Sequence, residues 1–101
     1  MNDTRPSEAQ VERLAILSEE CAEVQQVIGK ILRHGWRNEG HCNRIALEHE
    51  LGDLLWSIDT LLASDDVSLA SVWRFSKEKP AKAAPYLHHN NSVPVFGWEA
   101  Q

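Results

Sequence analysis

The chain has 101 residues, 43% apolar and 25% charged, with 15 Asp and Glu against 10 Lys and Arg for a formal charge of −5. That is enough for one small globular domain and too little for a two-domain enzyme, while no apolar run nears the roughly 20 residues of a membrane span and Asn2, Asp3 and Arg5 interrupt any signal-peptide pattern, so a soluble cytoplasmic protein is expected. Cys21 and Cys42 lack the C-x-x-C spacing and read as free thiols, and the acidic balance disfavours nucleic-acid binding and suits a protein that holds divalent cations.

Arg5-Pro6-Ser7 opens the first element: Ser7 is placed as N-cap, Gln10 three residues later completes a capping box, and Glu8 suits the positive end of a helix. Val11, Leu14, Leu17, Cys21, Val24, Ile28 and Ile31 recur at steps of three and four, which keeps one stripe turned toward a core. The spacing predicts a helix from Ser7 to about His34, ended by Gly35, with the internal Gly29 marking close packing against another backbone. Residues 35–42 carry two glycines and no periodicity and read as a loop between antiparallel helices. Asn43 is expected to cap a second helix, in which Leu47, Leu51, Leu54, Ile58 and Leu61 repeat the pattern to about Ala63.

Ser64-Asp65-Asp66 supplies a break with capping residues, and Leu69, Val72, Trp73 and Phe75 predict a shorter third helix that ends near Lys79, before Pro80. Beyond it an irregular arm is expected, whose Tyr86, Leu87, Val93, Val95, Phe96 and Trp98 are too apolar for a disordered tail and should pack on the bundle or on a second subunit. The expected architecture is all-α: an antiparallel helical bundle of two long helices and a shorter third over residues 1–84, with residues 85–101 as the arm. Chains of about 100 residues bury only some two thirds of their unfolded surface, which favours assembly as a homo-oligomer.

On a wheel of about 100° per residue, Glu20 and Glu23 fall in line with Ile16 and Val27, and Glu19 lies about 40° from Glu23. Acids therefore interrupt an apolar stripe. On the second helix Glu50 sits beside Leu47, Leu54 and Leu61, with Asp53 about 60° further around. Antiparallel packing would bring the two sets together across the groove. Such a cluster cannot stay ionised in a partly dehydrated groove unless its pKa values rise or a cation neutralises it. Hard oxygen donors with no positioned His or Cys point to Mg²⁺, with Mn²⁺ as a substitute. Either E-E-x-x-E or E-x-x-D alone is usually a solvated helix face; their joint placement at the margins of two apolar stripes is what favours a metal site. A di-iron carboxylate bundle wants Glu-x-x-His, and neither Glu20 nor Glu50 has a histidine three residues on. His34, His41 and His49 lack partners at ligand spacing and read as surface or loop residues.

Glu19-Glu20-Cys21-Ala22-Glu23, 26 further residues, then Glu50-Leu51-Gly52-Asp53-Leu54-Leu55-Trp56 resembles the two halves of the MazG-like, all-α nucleoside triphosphate pyrophosphohydrolases, over about Ser7 to Lys82. The resemblance implies Mg²⁺-dependent hydrolysis of an NTP or dNTP between the α and β phosphates, giving monophosphate and pyrophosphate. It implies Glu20, Glu23, Glu50 and Asp53 as metal ligands, with Glu20 also in the catalytic set and Glu19 either a further ligand or the group that orients the attacking water. Cations that neutralise phosphate are expected at Lys77, Lys79 and Lys82, where family members carry basic residues before a stretch that Tyr86-Leu87-His88-His89-Asn90 resembles, or at Lys30 and Arg33, which equally suit the negative end of the first helix. Trp36 or Trp56 could stack on a base, and Trp73 reads as core. Family members are usually dimers or tetramers. A catalytically silent metal-binding interaction or regulatory module is the alternative class.

Overall fold

The computed structural model describes residues 4–89, and for Asn38 the backbone alone. The chain forms two compact units, Met1–Asp66 and Val67–Gln101.

In the first unit, helix α1 runs Glu8–His34 and helix α2 runs Asn43–Ala63. Ser7 and Gln10 form the expected capping box: Ser7 Oγ accepts from the Gln10 backbone N–H at 3.2 Å while Gln10 Oε1 accepts from the Ser7 N–H at 2.8 Å. The 35–42 connection is not an irregular loop. Strands β1 (Arg37–Asn38) and β2 (His41–Cys42) pair antiparallel in the register Arg37↔Cys42 and Asn38↔His41. Glu39 and Gly40, both at positive φ (50° and 82°), make the two-residue turn whose twist suits such a ribbon. Asn43 does not cap α2 with its side chain. Cys42 holds the cap position without a side-chain bond, while Asn43, buried, donates from Nδ2 to the Gly35 carbonyl at 2.9 Å and from its backbone to Trp36 at 2.8 Å. The end of α1 and the start of α2 are thereby tied together.

The far end is tied by charge. Arg13 donates to Asp66 from Nε (2.5 Å) and Nη2 (2.9 Å), and Gln10 Nε2 adds a third bond at 3.1 Å. The guanidinium and Gln10 hold the Asp66 carboxyl below its ordinary range, and Asp66 in turn raises Arg13. With one tie at each end, the helices pack antiparallel.

Their contact follows one line on each helix: Arg13, Leu17, Glu20, Val24, Val27 and Ile31 on α1, and Asn43, Leu47, Glu50, Leu54, Ser57 and Leu61 on α2, all buried or half-buried. Both lines step four-three-four-three-four, the repeat of helices that cross at a shallow angle. The expected α1 stripe is only half right: Leu17, Val24 and Ile31 face inward, but Val11, Leu14, Cys21 and Ile28 are exposed. The helix is apolar on two adjoining flanks, and α2 covers the one that carries the acids. Leu51, expected inside, is likewise exposed. Among the described residues Val24, Val27 and Leu61 are the buried apolar side chains, and Ser57, fully buried, returns its hydroxyl to the Leu54 carbonyl. Gly29 makes no close backbone approach; an added Cβ there would meet only Arg33 Nη1, at 3.7 Å.

The second unit contains helix α3 (Leu69–Ala83) and a 3-10 turn, Ala84–Tyr86. Ser68, rather than the Ser64–Asp66 break, caps α3 by accepting from the Ser71 N–H at 3.2 Å. The helix does not stop near Lys79 but carries Pro80 inside it. Proline removes one donor, yet its fixed φ is helical, the helix is exposed from Arg74 to Lys82, and the Pro80 carbonyl accepts from Ala84 to close the last turn. Trp73 is half-buried, with Lys77 Nζ 4.3 Å from its ring centroid. The expected packing of Val93, Val95, Phe96 and Trp98 lies outside the described residues. No helix among the described residues is long and apolar enough to cross a membrane.

Candidate metal centre

Glu20 and Glu50 stand at the middle of the two inward lines, Glu20 between Leu17 and Val24 and Glu50 between Leu47 and Leu54. Glu23 and Asp53, three residues on along each helix, flank them at the edge of the groove. One carboxylate oxygen from each of Glu20, Glu23, Glu50 and Asp53 lies within 4.8 Å of all the others, so a single ion could touch the set. Glu20, Glu50 and Asp53 are half-buried; Glu23 is exposed.

Like charges this close are costly, and the titration of the site carries the mark. Removal from water, then the charges of Glu23, Asp53 and Glu19, push the Glu20 carboxyl above its ordinary range. The Glu23 carboxyl is raised first by a shared hydrogen bond with Glu50, then by the charge of Glu50 and by burial.

Glu20 Oε2 and Glu50 Oε2 are buried without a hydrogen-bond partner among the described residues. Natural interiors seldom leave such acceptors unmet. Two orphaned oxygens, one from each helix, inside an all-oxygen set are the donors a hard divalent cation takes.

Glu19 is exposed and outside the four, close enough to act on Glu20 and Glu23 through its charge. Lys30 and Arg33 lie on α1 beyond the cluster and line a cavity with His34 and His41. Trp56 is 56% exposed on α2. Trp36 is already stacked, with Arg44 Cζ 4.4 Å from its ring centroid. Lys77, Lys79 and Lys82 belong to α3, since that helix extends to Ala83, and therefore to the second unit.

His49, expected as a surface or loop residue without a partner at ligand spacing, is exposed but does have such partners. Its Nδ1 is 3.4 Å from Asp53 Oδ2 and 3.6 Å from Glu50 Oε1, so His49, Glu50 and Asp53 form a second set of possible ligands that shares two members with the first. The signal was the i, i+4 spacing from His49 to Asp53, which puts both on one side of α2.

A family model described as the MazG nucleotide pyrophosphohydrolase domain matches residues 9–88. Neither the curated proteins nor the solved structures give a match to the chain.

Proposed function

The chain belongs to the MazG nucleotide pyrophosphohydrolase domain family, and from that premise we propose that it hydrolyses a nucleoside triphosphate, ribo or deoxyribo, between the α and β phosphates with Mg²⁺ as cofactor and Mn²⁺ as a substitute. The observation that carries this reading is the four-carboxylate cluster with its two orphaned buried oxygens. A polyphosphate cannot approach such a cluster bare, because its charge has the same sign.

Glu20, Glu23, Glu50 and Asp53 would hold the cation, and none of them is free to bind phosphate itself. When bound, the cation would offset the charge of the polyphosphate and make a nearby water more acidic. Glu19, exposed beside the set, is proposed either as a further ligand or as the group that orients the attacking water and receives its proton, and Glu20 as a ligand that also belongs to the catalytic set. The water oxygen bonds to the α-phosphorus as the bond to the bridging oxygen breaks, and the electron pair departs with pyrophosphate. Lys30, Arg33, Lys77, Lys79 and Lys82 are the cations proposed to contact phosphate, and Trp56 the ring proposed to contact the base.

A homo-oligomer, dimer or tetramer, is part of the same reading. Leu14, Ile28 and Leu32 on α1 and Ile45, Leu55 and Trp56 on α2 are all more than 40% exposed, a surface that a second copy would cover. The protein would act on the cytoplasmic nucleotide pool.

The test is incubation with a panel of NTPs and dNTPs, modified bases included, with Mg²⁺ or with EDTA, and chromatographic resolution of the products. Monophosphate plus pyrophosphate, lost with EDTA, is expected. Absence of turnover with Mg²⁺ and Mn²⁺ would reject the enzyme in favour of a metal-binding interaction module, for which chelation should alter helicity or assembly.

A further inference from the structure

One helical turn from the carboxylate cluster, where the end of α1 meets β2 and the start of α2, lies a second feature of opposite character. A cavity of about 420 Å³ opens between the last turns of α1 and the first turn of α2, with Val27 and Ala46 on its apolar side and Lys30, Arg33, His34 and His41 around it. Resting on the reading above, we infer that this cavity seats the β and γ phosphates of the substrate, and so holds pyrophosphate as the leaving group and as free product.

Charge argues first. In a chain with 15 acidic residues and a net charge of −5, no carboxylate is among the described residues that line the cavity. Two permanent cations and two imidazoles converge there instead, a donor set suited to an anion. The helix end adds to it: α2 starts at this wall with Cys42 at the cap position and no side-chain cap bond, and with no acidic residue in its first turn. Its positive end is thus left to whatever enters.

Position argues second. Val27 is four residues after Glu23 and Ala46 four before Glu50, so both point one turn toward the same end of the helix pair, about 6 Å along the axis. An α-phosphorus held at the cluster would send its remaining phosphates, rather than its sugar and base, into the cationic side. The lining argues against a base as occupant, since no Trp, Tyr or Phe is among the described lining residues and Trp36 is engaged by Arg44.

The probe is inorganic pyrophosphate, titrated into the uniformly ¹⁵N-labelled wild-type chain, first without metal and then with Mg²⁺. Saturable shifts at the amides of Lys30, His41 and Ala46 are expected. In Lys30→Gln/Arg33→Gln, two exposed positions whose change should leave the circular dichroism as it is, those shifts should vanish. KM for the best nucleotide and the inhibition constant for pyrophosphate should both rise about tenfold or more, the loss of at least one charge-assisted contact, with kcat falling less. If the wild type turns over nucleotides and the double variant keeps both constants, Lys30 and Arg33 merely complement the carbonyl end of α1 and the inference is overturned. The absence of any shift at millimolar pyrophosphate overturns it as well. If no nucleotide is hydrolysed but pyrophosphate still moves those amides in the wild type and not in the variant, the cavity stands as a diphosphate site and the hydrolase reading falls.

Discussion

Glu20 on α1 and Glu50 on α2 occupy matching central places in the two inward lines, and each buries its Oε2 without a donor among the described residues. Two acids in positions that packing would give to leucine weaken the helix pair unless something between them is positive. Glu20→Gln and Glu50→Gln keep the shape, supply a donor and remove a charge. Each is expected to lower Mg²⁺-dependent turnover by about 100-fold or more, the effect of losing a ligand, while the metal-free melting temperature stays level or rises. A wild-type rate in both variants would reject the site.

The cluster and the Arg13–Asp66 tie should oppose each other in acid. Glu20 and Glu23 titrate above their ordinary 4.5 in the folded chain. The unfolded chain therefore loses those protons first, and stability falls as pH rises from 4.5 through the raised folded values, then levels. Lowering the pH through that window should raise the metal-free melting temperature. Asp66 is depressed below its ordinary 3.8, so its contribution is full above 3.8 and is lost as pH falls through the folded value. Melting curves across pH should thus pass a mildly acidic maximum. The rising limb should shrink in Glu20→Gln/Glu23→Gln, the falling limb in Asp66→Asn, and saturating Mg²⁺ should flatten the rising limb by stabilising the ionised set.

Glu39 holds a left-handed conformation, φ 50°, at the first turn position of the β1–β2 ribbon, where its side chain is exposed. Asparagine adopts that conformation more readily. Glu39→Asn should stabilise the chain by about 0.5–1 kcal/mol, which thermal melting would register as a rise of a few degrees. An unchanged or lower melting temperature would mean that Glu39 has a compensating contact.

Gly29 sits within α1 with room for a methyl group, its nearest prospective neighbour being the mobile end of Arg33. Gly29→Ala should add about 0.5–1 kcal/mol by helix propensity, measured by urea denaturation. A loss instead would place another copy of the chain against that face.

The sequence and the structure agree where local chemistry decides. Ser7 and Gln10 announce the start of α1, and the wheel positions of Glu20, Glu23, Glu50 and Asp53 bring those acids to one groove. They part where a choice depends on the partner element. Periodicity shows that α1 has apolar flanks but not which one α2 will cover, so Val11, Leu14 and Ile28 read as core and prove exposed. The β1–β2 ribbon escapes notice because a glutamate, not an asparagine, takes the first left-handed place in its turn. Pro80 reads as a terminator because proline breaks most helix interiors, but its cost depends on the surroundings, and in α3 the turns on either side of it are exposed. His49 reads as a partnerless surface residue because Glu-x-x-His spacing is absent, whereas its relation to Asp53 runs at four.

The β1–β2 ribbon also decides how this architecture can drift in length. One residue inserted between Leu17 and Val24, or between Leu47 and Leu54, would swing every later side chain of that helix by about 100° and scatter the acids around its circumference. Residues added at Glu39-Gly40 would rotate neither helix, because the Asn43 bonds to Gly35 and Trp36 close the connection before the turn is reached. The spacing inside each acidic motif is therefore rigid and the interval between the two motifs is elastic, which makes the turn the place to graft a tag, a reporter or a whole foreign loop.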